Sequence, residues 1–190
     1  MPPKFKFTRE QIIQTALDLT REGGIASVTA KSVGTKLNSS VKLVFGQFEN
    51  MDELKREVLK AADTMCRTYM QDIMASGKYP PYKASGIAYI RFAKEEKELF
   101  KLLYMRDRSH EAFDDRESMR PLVEEIQRRT GLGGEDAYRF HLEMWMFVHG
   151  IAAMVATSYL DWDTETISSV LTDAFFGLKH RFSEEGRKDK

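Results

Sequence analysis

The sequence predicts an all-α protein. Nearly every segment repeats apolar residues at helical spacing, and capping residues and Gly or Pro breaks divide the chain at helix lengths. No stretch shows the strict alternation of a strand, and there is no internal repeat. At 190 residues the chain can form one domain or two small ones, and its 42% hydrophobic content is enough for a core.

Thr8 and Gln11 have capping-box spacing, Ile12, Ile13, Ala16 and Leu17 form an apolar stripe, and Gly23-Gly24 stops the first helix. A fourth helix starts after Asn50 with Glu53 in the capping-box position. Its apolar face is expected at Leu54, Val58, Ala61 and Met65, and it runs to about Ala75 before the break from Gly77 to Pro81. Residues 82–105 contain two further helical stretches. Arg106 to Glu117, with His110 beside Glu111, reads as a charged, solvated loop. A helix is expected from Ser118 to Thr130, then Gly131 to Gly134 as a break, then a long apolar helix over 135–160. Asp161-Trp162-Asp163 opens the last helix, with Lys179, His180 and Arg181 toward its C-terminus as the helix dipole prefers. The tail SEEGRKDK reads as frayed.

Residues 29–54, TAKSVGTKLNSSVKLVFGQFENMDEL, carry the most information. They read as a short helix, a tight turn, a second short helix and the start of a third. Thr29 caps the first, and Val33 and Leu37 share one face. Asn38 tolerates the left-handed backbone of a sharp turn, and Ser40 is placed to cap the second helix. Val44 and Phe48 give that helix a buried side, which turns Ser40, Val41, Lys42 and Phe45 outward. A helix held proud in this way fits the major groove of DNA.

This stretch resembles the N-terminal domain of the TetR/AcrR family of bacterial transcriptional regulators. That family follows roughly T-x-x-x-[IV]-A-x-x-x-G-V-S-x-x-x-[LIV]-Y-x-x-F-x-x-K-x-x-L. Thr29, Val33, Ser40, Val44, Phe48 and Leu54 fall in register, while Gly34, Asn38, Ser39, Phe45 and Met51 depart from it. The family's Tyr hydroxyl and Lys touch DNA phosphates, and Phe45 and Met51 supply neither group, which should weaken affinity. The resemblance implies a DNA-binding set of Thr29, Lys31, Ser40, Val41, Lys42, Phe45 and Gln47.

In the C-terminal part, Trp145 to Gly150 resembles the W-x-x-x-H-G signature of one branch of these regulators, and YIRFAKEEKELFKLLYM resembles the stretch that precedes it. The implied architecture is a three-helix head over 1–48 and a six-helix effector-binding and dimerisation body over 49–190. Trp145 and His149, at i and i+4, point the same way, and Tyr69, Phe92 and Tyr104 would surround that face in the family fold. These five imply an apolar cavity for a hydrophobic or aromatic effector. The last two helices imply a homodimer through a four-helix bundle. Ala152 and Ala156 are small enough for close approach, and Ile167, Leu171 and Phe175 lie on the apolar face.

Charge and chemistry fit this reading. Through residue 48 there are seven Lys and Arg against three acids, a balance of +4 in a chain of zero net charge, so the basic end coincides with the motif. Cys66 is the single cysteine, which excludes an intrachain disulfide. The start, MPPKFK, shows no secretory signal, and the run from Met144 to Leu160 is short for a membrane span, so a reducing cytoplasm is expected. Enzymatic work is not expected. Cys66 has no partner for nucleophilic chemistry, and Gly131-Leu132-Gly133-Gly134 lacks the Lys of a phosphate loop. His141, Glu143 and His149 share one helix. The two histidines lie about 80° apart around its axis, wider than helical metal pairs usually are, so no metal or cofactor is expected. The expected function is a dimeric repressor of a pseudo-palindromic DNA operator, released by a small hydrophobic effector. The alternative is a helical dimer of the same fold that has lost specific DNA binding.

Overall fold

The computed structural model describes residues 6–109 and 116–188. His110 and most of the acidic stretch after it therefore lie outside the described residues, as does Lys4. Among the described residues there are nine α-helices and one short 3-10 turn, with no strand. The fold is the all-α fold that the periodicity predicts.

The helices form two compact units, one of Met1–Thr68 with Glu95–Arg106, the other of Tyr69–Lys94 with Asp107–Lys190. In the first unit, α1 (Arg9–Gly23) begins at the expected capping box: the Thr8 hydroxyl accepts from the Gln11 N–H at 3.2 Å, and the Gln11 side chain accepts from the Thr8 N–H at 2.9 Å. Gly24, at φ 72°, ends it. Then come α2 (Ala30–Lys36), α3 (Lys42–Phe45) and the start of α4 (Met51–Ala75). Asn50 accepts from the Glu53 N–H at 2.9 Å as the α4 cap. The buried row of α4 is Leu54, Val58, Ala62 and Cys66, an unbroken i+4 ridge. Ala61 and Met65, expected on that row, are half-buried along its flank.

This unit extends past residue 48 because α6 (Lys97–Tyr104) packs on α1. Leu99, Phe100 and Leu103 bury its apolar side, and Arg21 on α1 forms an ion pair with Glu96 at its start, Nε to Oε2 2.8 Å. Cys66 is buried with its sulfur 3.5 Å from the Tyr104 hydroxyl, and burial pushes its thiol pKa up, so it stays a packed, protonated side chain.

The second unit contains α5 (Pro81–Glu95, to Lys94), α7 (Arg116–Thr130), α8 (Gly134–Ala156) and α9 (Thr164–Lys188). α7 starts two residues before the expected Ser118, inside the segment read as a loop. α8 stops at Ala156 rather than 160, because Ser158 takes a left-handed backbone, φ 60°, and the chain turns there. α9 is capped by Asp163, which accepts from the Thr166 N–H at 2.8 Å, and it continues through the SEEGRK expected to fray, a run rich in good helix formers. The core of this unit gathers Tyr82, Ile126, Ala137, Phe140, Met144 and Phe182, with Phe175 and Leu178 packed against it. No helix among the described residues is long and apolar enough to cross a membrane.

Candidate functional site

In the first unit, α2, a five-residue turn and α3 form the helix-turn-helix. Thr29 caps α2 as expected, with its hydroxyl accepting from the Ser32 N–H at 3.0 Å and the Ser32 hydroxyl accepting from the Thr29 N–H at 2.9 Å. One lone pair of the Thr29 hydroxyl is thereby taken, and its proton is directed to the Ser32 hydroxyl at 3.0 Å. Asn38 has φ 48°, the left-handed turn residue its type predicts. The turn folds tightly over Gly34, whose carbonyl accepts from the Ser39 N–H at 2.8 Å. A methyl at Gly34 would meet the Ser39 carbonyl oxygen at 3.1 Å. The departure from alanine thus lets the two backbones approach closely.

Ser40 does not cap α3. Val41 occupies the cap position in helical conformation with no side-chain bond, and Ser40 contributes only its backbone carbonyl, to the Leu43 N–H at 3.1 Å. The helical path begins a residue earlier than a cap geometry allows. Val33, Val44 and Phe48 are buried, as their spacing predicts. Val41 and Phe45 are 45% and 54% exposed, unusual values for large apolar side chains on a short helix, and Ser40 and Lys42 are exposed beside them. The outward face is therefore apolar at i and i+4 with one cation between.

Lys31 and Lys42 are exposed and form no ion pair among the described residues, whereas Lys36 is paired with Glu22 at 2.6 Å. Gln47 is half-buried and its amide points inward, to the Phe7 carbonyl at 3.4 Å, so it does not join the exposed set. Arg9 was not singled out by the sequence. It donates to the Gln47 carbonyl and to Glu53, each at 2.6 Å, and lies 4.2 Å from the Phe48 ring centre. It ties the segment after α3 back to α1. Partners 38 and 44 residues away leave no local signal for it.

The second unit holds a cavity of about 350 Å³ with largely apolar walls from α5, α7, α8 and α9. Trp145 lines it, as expected. The other expected effector residues do not. Phe92 is fully buried and packs edge-on against Tyr69 at 5.5 Å, so both serve as packing. Tyr104 belongs to the first unit, beside Cys66 and Phe100. His149 stacks on Trp145 at 5.3 Å and bonds the Tyr89 hydroxyl through Nδ1 at 2.9 Å, one layer behind the wall. Burial lowers its pKa, so the ring is neutral in this pair.

From α5 the expected effector set took Phe92, whereas other residues of that helix form the cavity wall. Tyr82, Gly86 and Tyr89 recur at i, i+4 and i+7 and face it, with Lys83 alongside. Tyr82 bonds His141 Nδ1 at 3.1 Å, matching the Tyr89–His149 pair, so two tyrosine–histidine rungs tie α5 to α8. Gly86 is the hollow between them: a methyl there would press on Leu171 and Val148 at 3.3 Å. The usable signal was a glycine between two tyrosines on one helical face.

The residues expected between two chains are placed differently. Ala152, Ala156, Ile167 and Leu171 are buried within the chain itself, at 0–3% exposure, and Phe175 packs against Tyr82 and Phe140 and lines the cavity. Four of the five are thus covered within one chain, while Phe175 stays partly exposed. The large apolar side chains that α8 and α9 do expose are Met146 (58%), Phe147 (40%) and Phe176 (60%). Gly150 and Gly177 open onto empty space on the same helices.

Residues 82–175, from α5 into α9, match the protein family described as tetracyclin repressor-like, C-terminal domain. No curated protein matches the chain.

Proposed function

The chain belongs to the TetR family of transcriptional regulators, and from that premise we propose that it is a dimeric repressor that leaves its operator when a small hydrophobic molecule enters the body. The observation that carries DNA binding is α3. Its buried Val44 and the following Phe48 anchor it, while Val41, Lys42 and Phe45 face solvent. Exposed valine and phenylalanine suit thymine methyl groups in the major groove, and Lys42 suits a phosphate or a guanine edge. Lys31 and Thr29 at the start of α2 are placed for backbone contacts.

The body supplies the two remaining parts of the reading. The 350 Å³ cavity is the effector site. The exposed Met146, Phe147 and Phe176, with Gly150 and Gly177 allowing close helix approach, are the dimer surface between α8 and α9 of two chains. Two heads on a two-fold axis would read half-sites about one helical turn apart, ~34–36 Å. The effector must bind the spacing that cannot reach both half-sites more tightly than the one that can.

Selection of bound sequences from a random DNA pool tests this directly. A pseudo-palindromic consensus is expected. Lys42→Ala should then weaken operator binding by several-fold and lower the salt slope of log K by about one, with the circular-dichroism spectrum unchanged. An operator affinity equal to the parent's would remove Lys42 from the interface. One observation favours a second reading, a dimer that has lost specific DNA binding: Phe45 and the half-buried Met51 lack the polar groups that the family pattern places there. Failure to enrich any sequence would favour it.

A further inference from the structure

The polar groups lining the cavity differ in what already satisfies them. Tyr82 is bonded to His141. The Ser85 hydroxyl donates to the Tyr82 carbonyl at 2.7 Å. Arg129 donates to Glu125 at 2.6 Å, and Glu125 also pairs with Arg128 at 2.7 Å. Lys83 stands apart. Its ammonium donates to the Thr172 hydroxyl at 2.7 Å and lies 5.9 Å from the Tyr79 ring, and no carboxylate pairs with it among the described residues. Among the described residues, no aspartate or glutamate lines the cavity.

Thr172 fixes this cation. Its own proton goes to the Ser168 carbonyl at 2.9 Å, so a lone pair is left facing Lys83. An ammonium has three donors, and one is spent here. A half-buried positive charge on an apolar wall, with a neutral hydroxyl as its partner, is completed by an anion. One such cation matches one negative charge. A phosphate ester would need a second cation on the same group, whereas Arg129 lies on α7 with its Nε directed to Glu125.

We propose that the effector is an apolar molecule bearing a single carboxylate, with the carboxylate on Lys83 and the apolar body against Met144, Trp145 and Val148. This rests on the reading of the cavity as the effector site. It narrows the ligand class from hydrophobic compounds to hydrophobic monocarboxylic acids and predicts which end enters where.

The test uses the full chain carrying Trp162→Phe, so that Trp145 reports from the cavity wall, titrated with decanoate, decanol and decyltrimethylammonium. Decanoate should bind about ten- to a hundredfold more tightly than decanol, the worth of a charge-assisted hydrogen bond. Lys83→Met should bring decanoate down to the decanol level without changing decanol, and Lys83→Arg should restore much of the preference. Equal binding of acid and alcohol by the parent, or preference for the ammonium, overturns the carboxylate and leaves the cavity reading standing. A preference that survives in Lys83→Met overturns Lys83 as the anchor. Should none of the three quench Trp145, both the carboxylate and the cavity reading fall. The acid-to-alcohol ratio in the parent decides the matter even where Lys83→Met unfolds.

Discussion

Phe147→Glu should leave the protein monomeric at micromolar concentration and strip it of operator binding. Phe147 is 40% exposed on α8, next to Met146 at 58%; Phe176, which also lines the cavity, is 60% exposed on α9. Monomeric proteins rarely leave contiguous large apolar side chains in water. Because the proposed interface is two-fold symmetric, each substitution appears twice, and two carboxylates lose water in one apolar interface. Burying unpaired charge in this way costs about 3 kcal/mol or more, at least a hundredfold in the dimerisation constant. Since Phe147 is partly in water already, the folded chain should tolerate the glutamate, and thermal unfolding serves as the control. Sedimentation equilibrium reads the mass. A parent protein that is itself monomeric would end the dimer reading, and a variant that stays dimeric with the parent's affinity would move the interface elsewhere.

Local chemistry was legible in the sequence, and long-range chemistry was not. Thr8 with Gln11, Thr29, and Asn50 with Glu53 each act within one helical turn, so their spacing alone located three helix starts. Asn38 was readable because few residue types accept its backbone conformation. Ser40 misled because a capping residue type caps only at the cap position, and that position falls one residue later, on Val41 with its helical backbone. The α4 row shifted from Ala61 and Met65 to Ala62 and Cys66, since periodicity gives a face but not which edge of it the neighbours cover.

The candidate site meets the same limit. Tyr82 and His141 stand 59 positions apart, and nothing near either residue announces the other. An apolar stripe on α8 and α9 was correctly read as buried, but burial inside one chain and burial between two chains have the same sequence signature. Ala152, Ile167 and Leu171 took the first option. Met146 and Phe147 on α8 face solvent instead, and no local signal separates them from the buried stripe.

The core behind the cavity carries the other large expected effect. Phe140 on α8 is fully buried, with its ring centre 5.2 Å from that of Phe175 in an edge-on arrangement and 5.6 Å from that of Phe182. Phe140→Ala removes the shared partner of both rings and leaves a void that the surrounding helices can fill only in part. The loss should be about 3–5 kcal/mol, a large share of the ~5–15 kcal/mol that holds a typical domain together. For a chain of this size that corresponds to a melting temperature lower by roughly 6–20 °C. The effect should reach the ligand as well, because Phe175 and Met144 belong both to this core and to the cavity wall. Freed of Phe140, the Phe175 ring gains room to swing, and quenching of Trp145 by a bound hydrophobic acid should weaken at temperatures where the variant is still folded. Phe140→Leu, which keeps more of the volume, should fall between the two in both measurements. A Phe140→Ala protein melting within about two degrees of the parent would show that this cluster does not hold the body together.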